Sequence, residues 1–347
     1  MQNGIAYGLT SAMLFGISTP IAKILVGSVS PVMLAGLLYA ASGLGLLLLL
    51  VSRRLSRRRP ASITMPRGKE WGWLAGAILL GGILGPLALM YGLTVTAASS
   101  ASLLLNLEAV FTALIAWFLF RENFDRRIAV GMLAIVAGGV VLAWSPGKAT
   151  SVSTGALFIV AACTCWALDN NLTRKASTSD AVLIAGLKGI VAGAANLTLA
   201  VLLGQHFPGI GILFVAGSVG FLGYGVSLVL FVLALRHLGS ARAGAYFSVA
   251  PFFGTVVALL LGDALTWQLI AAGVLMASGV WLHISERHAH EHVHEHLEHA
   301  HPHLHDEHHR HAHDAWYGPE PHTHVHAHEP LVHDHAHYPD VHHRHPH

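Results

Sequence analysis

The sequence predicts an all-α polytopic membrane protein, with ten transmembrane helices in two inverted five-helix repeats and a disordered histidine-rich tail. Three observations carry this. Ten mostly apolar stretches, each of about the 20 residues that cross a bilayer as a helix, lie near 4–26, 31–51, 71–91, 95–119, 128–145, 154–173, 181–203, 211–235, 241–261 and 266–284. The first five match the second five when the chain is slid along itself. The composition then breaks near residue 286, beyond which lie 24 of the 27 histidines.

The first stretch reads as a span and not as a cleaved signal peptide, because it lacks a basic leader and carries Pro20 and Lys23 where a cleavage site needs small residues. The connections after spans two, four, six and eight hold Arg53, Arg54, Arg57, Arg58, Arg59, Arg67, Lys69, Arg121, Arg126, Arg127, Arg174, Lys175, Arg236 and Arg242. The opposite loops hold only Lys148. The positive-inside rule therefore predicts cytoplasmic termini and a cytoplasmic tail, in a bacterial-type inner (plasma) membrane. Arg53 to Arg59 could also touch anionic headgroups, although topology alone accounts for them.

A shift of 151 places Gly4 on Gly155, Phe15 on Trp166, Lys23 on Arg174 and Ala41 on Ala192. After one shorter loop, a shift of 142 places Leu93 on Leu235, Ala101 on Ala243, Phe111 on Phe253, Ala116 on Ala258, Leu119 on Leu261 and Gly131 on Gly273. Five is odd, so the second repeat enters the membrane from the other side, and a substrate site is expected between the halves near the midplane. The expected units are residues 1–145 and 146–285 as the repeats and 286–347 as the tail. Glycine pairs such as Gly81-Gly82 and Gly138-Gly139 are expected to let helices pack closely.

Three charges lie within the expected spans: Glu108, Asp169 and Lys188. Each falls opposite an uncharged residue of the other half (Ala250, Ser18 and Leu37), so the scaffold does not require them. A charge at that depth costs several kcal/mol unless it is paired or faces a water-filled path. By helical rise, Asp169 lies about 8 Å in from Arg174, and Lys188 about 10 Å in from the start of span seven. A buried salt bridge between them is expected, either as scaffold or as part of a cation path. Glu108, about 18 Å from the cytoplasmic end of its span, lacks an obvious cation partner and is the candidate for proton coupling or cation contact.

Around Asp169, helical spacing puts Cys165 and Thr173 on the same face, where a thiol and a carboxylate could meet a soft cation. Cysteine is equally an ordinary small core residue. Asn170, Asn171, Asn106 and Asn196 are further pathway candidates, with helix-to-helix hydrogen bonding as the alternative. Cys163 and Cys165 are the only cysteines and share one span, so no structural disulfide is expected. His206, His237 and His283 lie in loops or at a span end and are expected to be interfacial.

The candidate metal ligands of the tail are His288, His290, His292, His294, His296, His299, His301, His303, His305, His308, His309, His311, His313, His322, His324, His326, His328, His333, His335 and His337. Imidazole suits nickel, cobalt, copper and zinc. Interleaved acids such as Glu291, Glu295, Glu298 and Asp306 make a mixed nitrogen and oxygen field. The alternative is a low-complexity proton buffer. The body carries 17 Lys+Arg against 7 Asp+Glu and the tail 3 against 11, which hides a charge asymmetry behind the net +2. With so few apolar residues to bury, the tail is expected to be disordered.

Within the spans, Ala12-Met-Leu-Phe-Gly-Ile-Ser-Thr-Pro-Ile-Ala-Lys23, Ala101-Ser-Leu-Leu-Leu-Asn-Leu-Glu-Ala-Val-Phe-Thr-Ala113 with Arg121-Glu122, and Ala241-Arg-Ala-Gly-Ala-Tyr-Phe-Ser-Val-Ala-Pro251 resemble the drug/metabolite transporter superfamily. The resemblance is to its ten-helix exporters with two EamA-type domains and covers residues 4 to about 284. The family's usual proline in the fourth span is replaced in the Glu108-Ala109 region, while Pro251 keeps it in the ninth. The chain also resembles histidine-tailed members linked to nickel and cobalt resistance. This implies secondary export, with no enzyme activity and no required cofactor, and the absence of a Walker loop or nucleophile elbow agrees.

The expected cargo is a divalent cation, nickel or cobalt first, exchanged for protons. The alternatives are export of an amino acid or metabolite with the tail as sensor, or a membrane-anchored metal buffer. Expected partners are membrane lipids, transition-metal ions (Ni, Co, Zn or Cu) on the tail and, in a homodimer, a second copy. Nucleic acid is excluded, since no aromatics are interleaved with the basic run.

Overall fold

The computed structural model describes residues 2–56, 68–120, 126–144, 153–175, 181–238, 244 and 246–284, and in the tail 289–293, 297–303, 322–328 and 332–336. Residues 1–285 form one compact unit and 286–347 another. In the first unit, span one is α1 (Gln2–Val26), span two α2 (Pro31–Ser56), span five α7 (Arg126–Ala143), span six α8 (Thr154–Lys175), span seven α9 (Ala181–Leu202) and span ten α13 (Trp267–Ile284). Span three is α3 (Glu70–Ala77), π1 (Ile78–Leu84) and α4 (Gly85–Val95). Span four is α5 (Ala98–Leu104) and α6 (Leu107–Phe120), span eight α10 (Ile210–Val219), π2 (Gly220–Val226) and α11 (Ser227–Leu238), and span nine contains α12 (Ala250–Leu260).

Among the described residues, eight helices are long and apolar enough to cross a membrane, and those of spans nine and ten are shorter apolar helices. Large apolar side chains such as Leu48, Phe118, Ile210 and Phe214 are exposed on the surface. That surface suits acyl chains, since lipid is as apolar as leucine and gives no reason to bury such groups.

The two repeats interlock. α8 of the second packs on span three and on α6 of the first, while α1 of the first packs on π2, α11 and α12 of the second. Equivalent helices also pair, α2 with α9 and α7 with α13. Close approach along α2 and α9 depends on Gly43 and Gly193, where an added Cβ would collide with the backbone of the facing helix. Small residues are how membrane helices reach such separations. Met33, Leu34, Leu38, Met90, Leu93 and Leu103 are almost completely buried in the continuous core.

Local signals set the helix ends. Pro31 begins α2 after Ser30, whose Oγ accepts the Met33 N–H at 3.3 Å, so an N-cap precedes a proline that has no amide hydrogen to satisfy. α5 has no side-chain cap of its own, and Asp263 supplies one by accepting the Ser99 N–H at 2.8 Å. At the far end of span three, Lys23 donates to the Leu93 carbonyl at 2.6 Å and so satisfies an end carbonyl of α4.

Two departures from plain spans occur, each in both repeats. The 142-residue shift maps π1 onto π2 position by position. It also brings together the interruptions of spans four and nine: Leu105–Asn106 turn between α5 and α6, and Ser248–Val249 turn before α12. The sequence reading of continuous helices over 95–119 and 241–261 is corrected here. Pro251 in the first turn of α12 explains the second break. The first persists without proline, with the Asn106 amide donating to the Leu103 carbonyl at 3.0 Å.

The described tail segments also differ from the expectation of disorder. Ala289–Val293 (β1) pairs antiparallel with Val332–Ala336 (β4), and Leu297–His303 (β2) with His322–His328 (β3). The His-x-His alternation has period two, the side-chain period of a strand, and it places small or branched residues such as Ala289, Val293, Val325 and Val332 at intervening positions. Histidines meet histidines in register, His290 with His335, His292 with His333, His299 with His326, His301 with His324 and His303 with His322. His288, His294, His296, His305, His308, His309, His311, His313 and His337 lie outside the described residues.

Candidate functional site in the spans

The broken fourth span positions Glu108. Its carboxylate stands in the first turn of α6, a half-helix that starts inside the membrane segment, where a negative charge is favoured by about 0.3–1 kcal/mol at the positive end of the helix dipole. Asn170 of α8 donates its amide to Glu108 Oε1 at 2.9 Å. The same nitrogen lies 3.4 Å from Thr112 Oγ1, one turn along α6. Asn171 is buried and donates to the Ala167 carbonyl at 2.8 Å and the Thr112 carbonyl at 3.4 Å. Among the described residues no Lys, Arg or His forms an ion pair with Glu108.

The expected pairing of the other two charges is present. Lys188 Nζ reaches both Asp169 oxygens, at 2.6 and 2.7 Å, and Thr173 donates to Oδ1 at 2.8 Å. The Asp169 side chain is 9% exposed and that of Lys188 17%. Asp169 and Asn170 are consecutive, so one turn of α8 carries both the ion pair and the group that holds Glu108.

Behind Asp169 lies π1. An added Cβ at Gly81 would overlap the Asp169 carboxylate, and at the equivalent Gly223 it would meet Ser18, which is Asp169's own counterpart. A π turn spaces its hydrogen bonds more widely and recurs at functional sites. Here its carbonyls take side-chain donors. Gly81 O accepts from Tyr39 OH at 2.8 Å and Trp166 Nε1 at 2.9 Å, and Gly82 O from Asn196 Nδ2 at 3.3 Å. The equivalents of Tyr39, Trp166 and Asn196 in the other repeat are Ile190, Phe15 and Gly45, none of which can donate from a side chain. The repeats share the π turn, but among the described residues only the first is pinned this way.

The structure thus brings Glu108, Asn170 and Thr112 together and Asp169, Lys188 and Thr173 beside them. It uses Asn106 elsewhere: the side chain is buried in the α5–α6 turn, with its amide on Leu103 O and 3.8 Å from Met276 Sδ. Cys165 is a free, partly exposed thiol, while Cys163 is buried and donates to the Leu104 carbonyl at 3.7 Å. Among the described residues no three His, Cys, Asp or Glu side chains come together as a metal centre. His206 and His237 are exposed, the latter with its ring centroid 5.7 Å from that of Tyr7.

Sequence reasoning missed Tyr39, Thr112 and the role of Trp166, whereas Asn196 takes the helix-to-helix hydrogen bond that was one of its two expected roles. Thr112 had a readable signal, four residues after Glu108, and Gly81-Gly82 marked the π turn while reading only as packing. Nothing local distinguishes Tyr39.

Two interlocked five-span repeats with broken helices at matching positions define a membrane transporter fold. Residues 2–144 and 153–285 each match the EamA-like transporter family, and the chain belongs to that family. It is 28% identical over 289 residues to an uncharacterized transporter of Methanothermobacter thermautotrophicus, covering 79% of this chain and 84% of that one. Over 86 residues it is 40% identical to a probable 4-amino-4-deoxy-L-arabinose-phosphoundecaprenol flippase subunit, ArnE, of Pseudomonas fluorescens, covering 25% of this chain and 72% of that one. One solved crystal structure shares the fold with a TM-score of 0.59 at 18% identity, over 80% of this chain and 94% of the other.

Proposed function

We propose that this transporter exports divalent transition-metal cations, nickel or cobalt first, in exchange for protons, from a plasma membrane in which both termini are cytoplasmic. The observation that carries the reading is the joining of a 24-histidine segment to spans whose two acids, Glu108 and Asp169, stand in adjoining polar groups without a counterpart in the other repeat. The tail gathers ions at the entrance of the path, and the span acids pass them on. A collector on the cytoplasmic side serves efflux, since on an uptake path it would retain what had just arrived. The absence of a three-ligand centre among the described residues of the body suits passage over tight retention.

A second reading is favoured by Lys188. An ammonium on the Asp169 carboxylate repels a metal ion and suits a zwitterionic or amino-sugar cargo, and the ArnE relatives are named for a lipid-linked amino sugar. Growth of cells with and without the chain in graded nickel, cobalt, zinc and copper separates the two. Resistance to nickel or cobalt, with lowered cell metal, supports metal export; unchanged metal content together with release of an organic amine supports the alternative.

A further inference from the structure

We infer that Lys188 is a built-in stand-in for the transported cation: its ammonium occupies Asp169 when the carrier is empty and leaves when cargo takes the carboxylate. This rests on the cation-export reading. Three features support it. Lys188 Nζ contacts both Asp169 oxygens, at 2.6 and 2.7 Å, and Thr173 Oγ1 at 3.4 Å, so it fills the position from which a cation would be held. π1 closes on the Asp169 carboxylate at Gly81 and blocks retreat on that side. Lys188, on a long flexible stem and 17% exposed, can move aside.

The opposite repeat has neither member of the pair, so the scaffold stands without it at the equivalent place, Ser18 and Leu37. A carrier that exchanges metal for protons must return without metal, its proton held on Glu108. A bare Asp169 on that return leg would be an unpaired buried charge, which is strongly unfavourable. With Lys188 in place the site is neutral on the empty leg, and with cargo it is compensated by the cargo. Lys188 therefore speeds the empty return and, by competing, weakens cargo affinity.

This predicts a kinetic split that a scaffold residue does not give. In proteoliposomes of the full chain, ⁶³Ni²⁺ exchange against unlabelled Ni²⁺ uses only the loaded carrier, whereas net efflux into metal-free buffer requires the empty return. Lys188→Met should keep exchange within about threefold of wild type, cut net efflux at least tenfold and lower the half-saturating Ni²⁺ concentration. Lys188→Arg, which preserves the charge, should restore net efflux and controls for folding. Equal losses of exchange and net efflux in Lys188→Met, with normal yield and monodispersity, overturn the inference, as does a failure of Lys188→Arg to recover efflux when it folds normally. If Lys188→Met fails to fold, Lys188→Gln is measured with the same two outcomes. No Ni²⁺ or Co²⁺ exchange in wild type overturns the cation-export reading itself, and this inference with it.

Discussion

Removing the partners of the Asp169–Lys188 pair one at a time, and then together, has consequences that the geometry orders. Breaking a buried pair costs about 3–5 kcal/mol because the remaining charge is stranded, whereas replacing both partners is often close to neutral. Lys188 retains 17% of its side-chain exposure and Asp169 9%, which sets both singles toward the lower end of that range. They should differ. After Asp169→Asn the lysine still meets the Thr173 hydroxyl and an amide oxygen, and its stem can carry the ammonium outward. After Lys188→Met the carboxylate keeps the hydrogen bond from Thr173 at 2.8 Å and is walled in by Gly81. The expected order of stability is wild type, then the double mutant close behind, then Asp169→Asn, then Lys188→Met, with the double about 2–3 kcal/mol more stable than the singles, or on the order of 100-fold in the unfolding equilibrium. Equilibrium unfolding of the purified protein in mixed micelles gives all four values. Additive losses, with the double mutant the least stable, would refute the pairing as a stabilising contact.

Gly81→Ala should be strongly damaging, because its Cβ falls on the Asp169 carboxylate. Gly223→Ala meets only the small Ser18 side chain and should cost less, and folded yields of the two compare them. Tyr39→Phe and Trp166→Phe each leave Gly81 O with one donor, so each should cost about 1 kcal/mol, while the double mutant strands a buried carbonyl and should lose more than the sum. Removing residues 286–347 should abolish most Ni²⁺ binding by the purified chain near neutral pH. In the full chain that binding should fade as pH falls through about 6.5, where imidazoles protonate; calorimetry at pH 7.5 and 5 checks this, and equal binding at both would exclude imidazole ligands.

Much of this architecture was legible before any coordinates. Span positions follow from apolar length, and the repeat offsets of 151 and 142 placed every equivalence that the structure uses, including Asp169 against Ser18. The ion pair was readable because an unpaired lysine in span seven had one acid within reach. The broken fourth helix was not, because its interruption at Leu105–Asn106 carries neither proline nor glycine and depends on an asparagine amide turned onto Leu103. The π turns escaped for a related reason: their signature is a pair of carbonyls met by donors from distant helices, Tyr39, Trp166 and Asn196, and periodicity in one segment contains no record of those partners. The paired strands of the tail were hidden by composition, since polarity argued for disorder while the two-residue period argued for a ladder.

Proton coupling through Glu108 has a direct readout in membrane vesicles. Everted membrane vesicles place the cytoplasmic face outward, so an acid-inside gradient should drive Ni²⁺ inward through wild type, and collapsing the gradient should release it. Glu108→Gln preserves size and can still pair with Asn170, so it should insert normally yet accumulate no more Ni²⁺ than vesicles lacking the chain. Gradient-driven accumulation by Glu108→Gln equal to wild type would contradict the account.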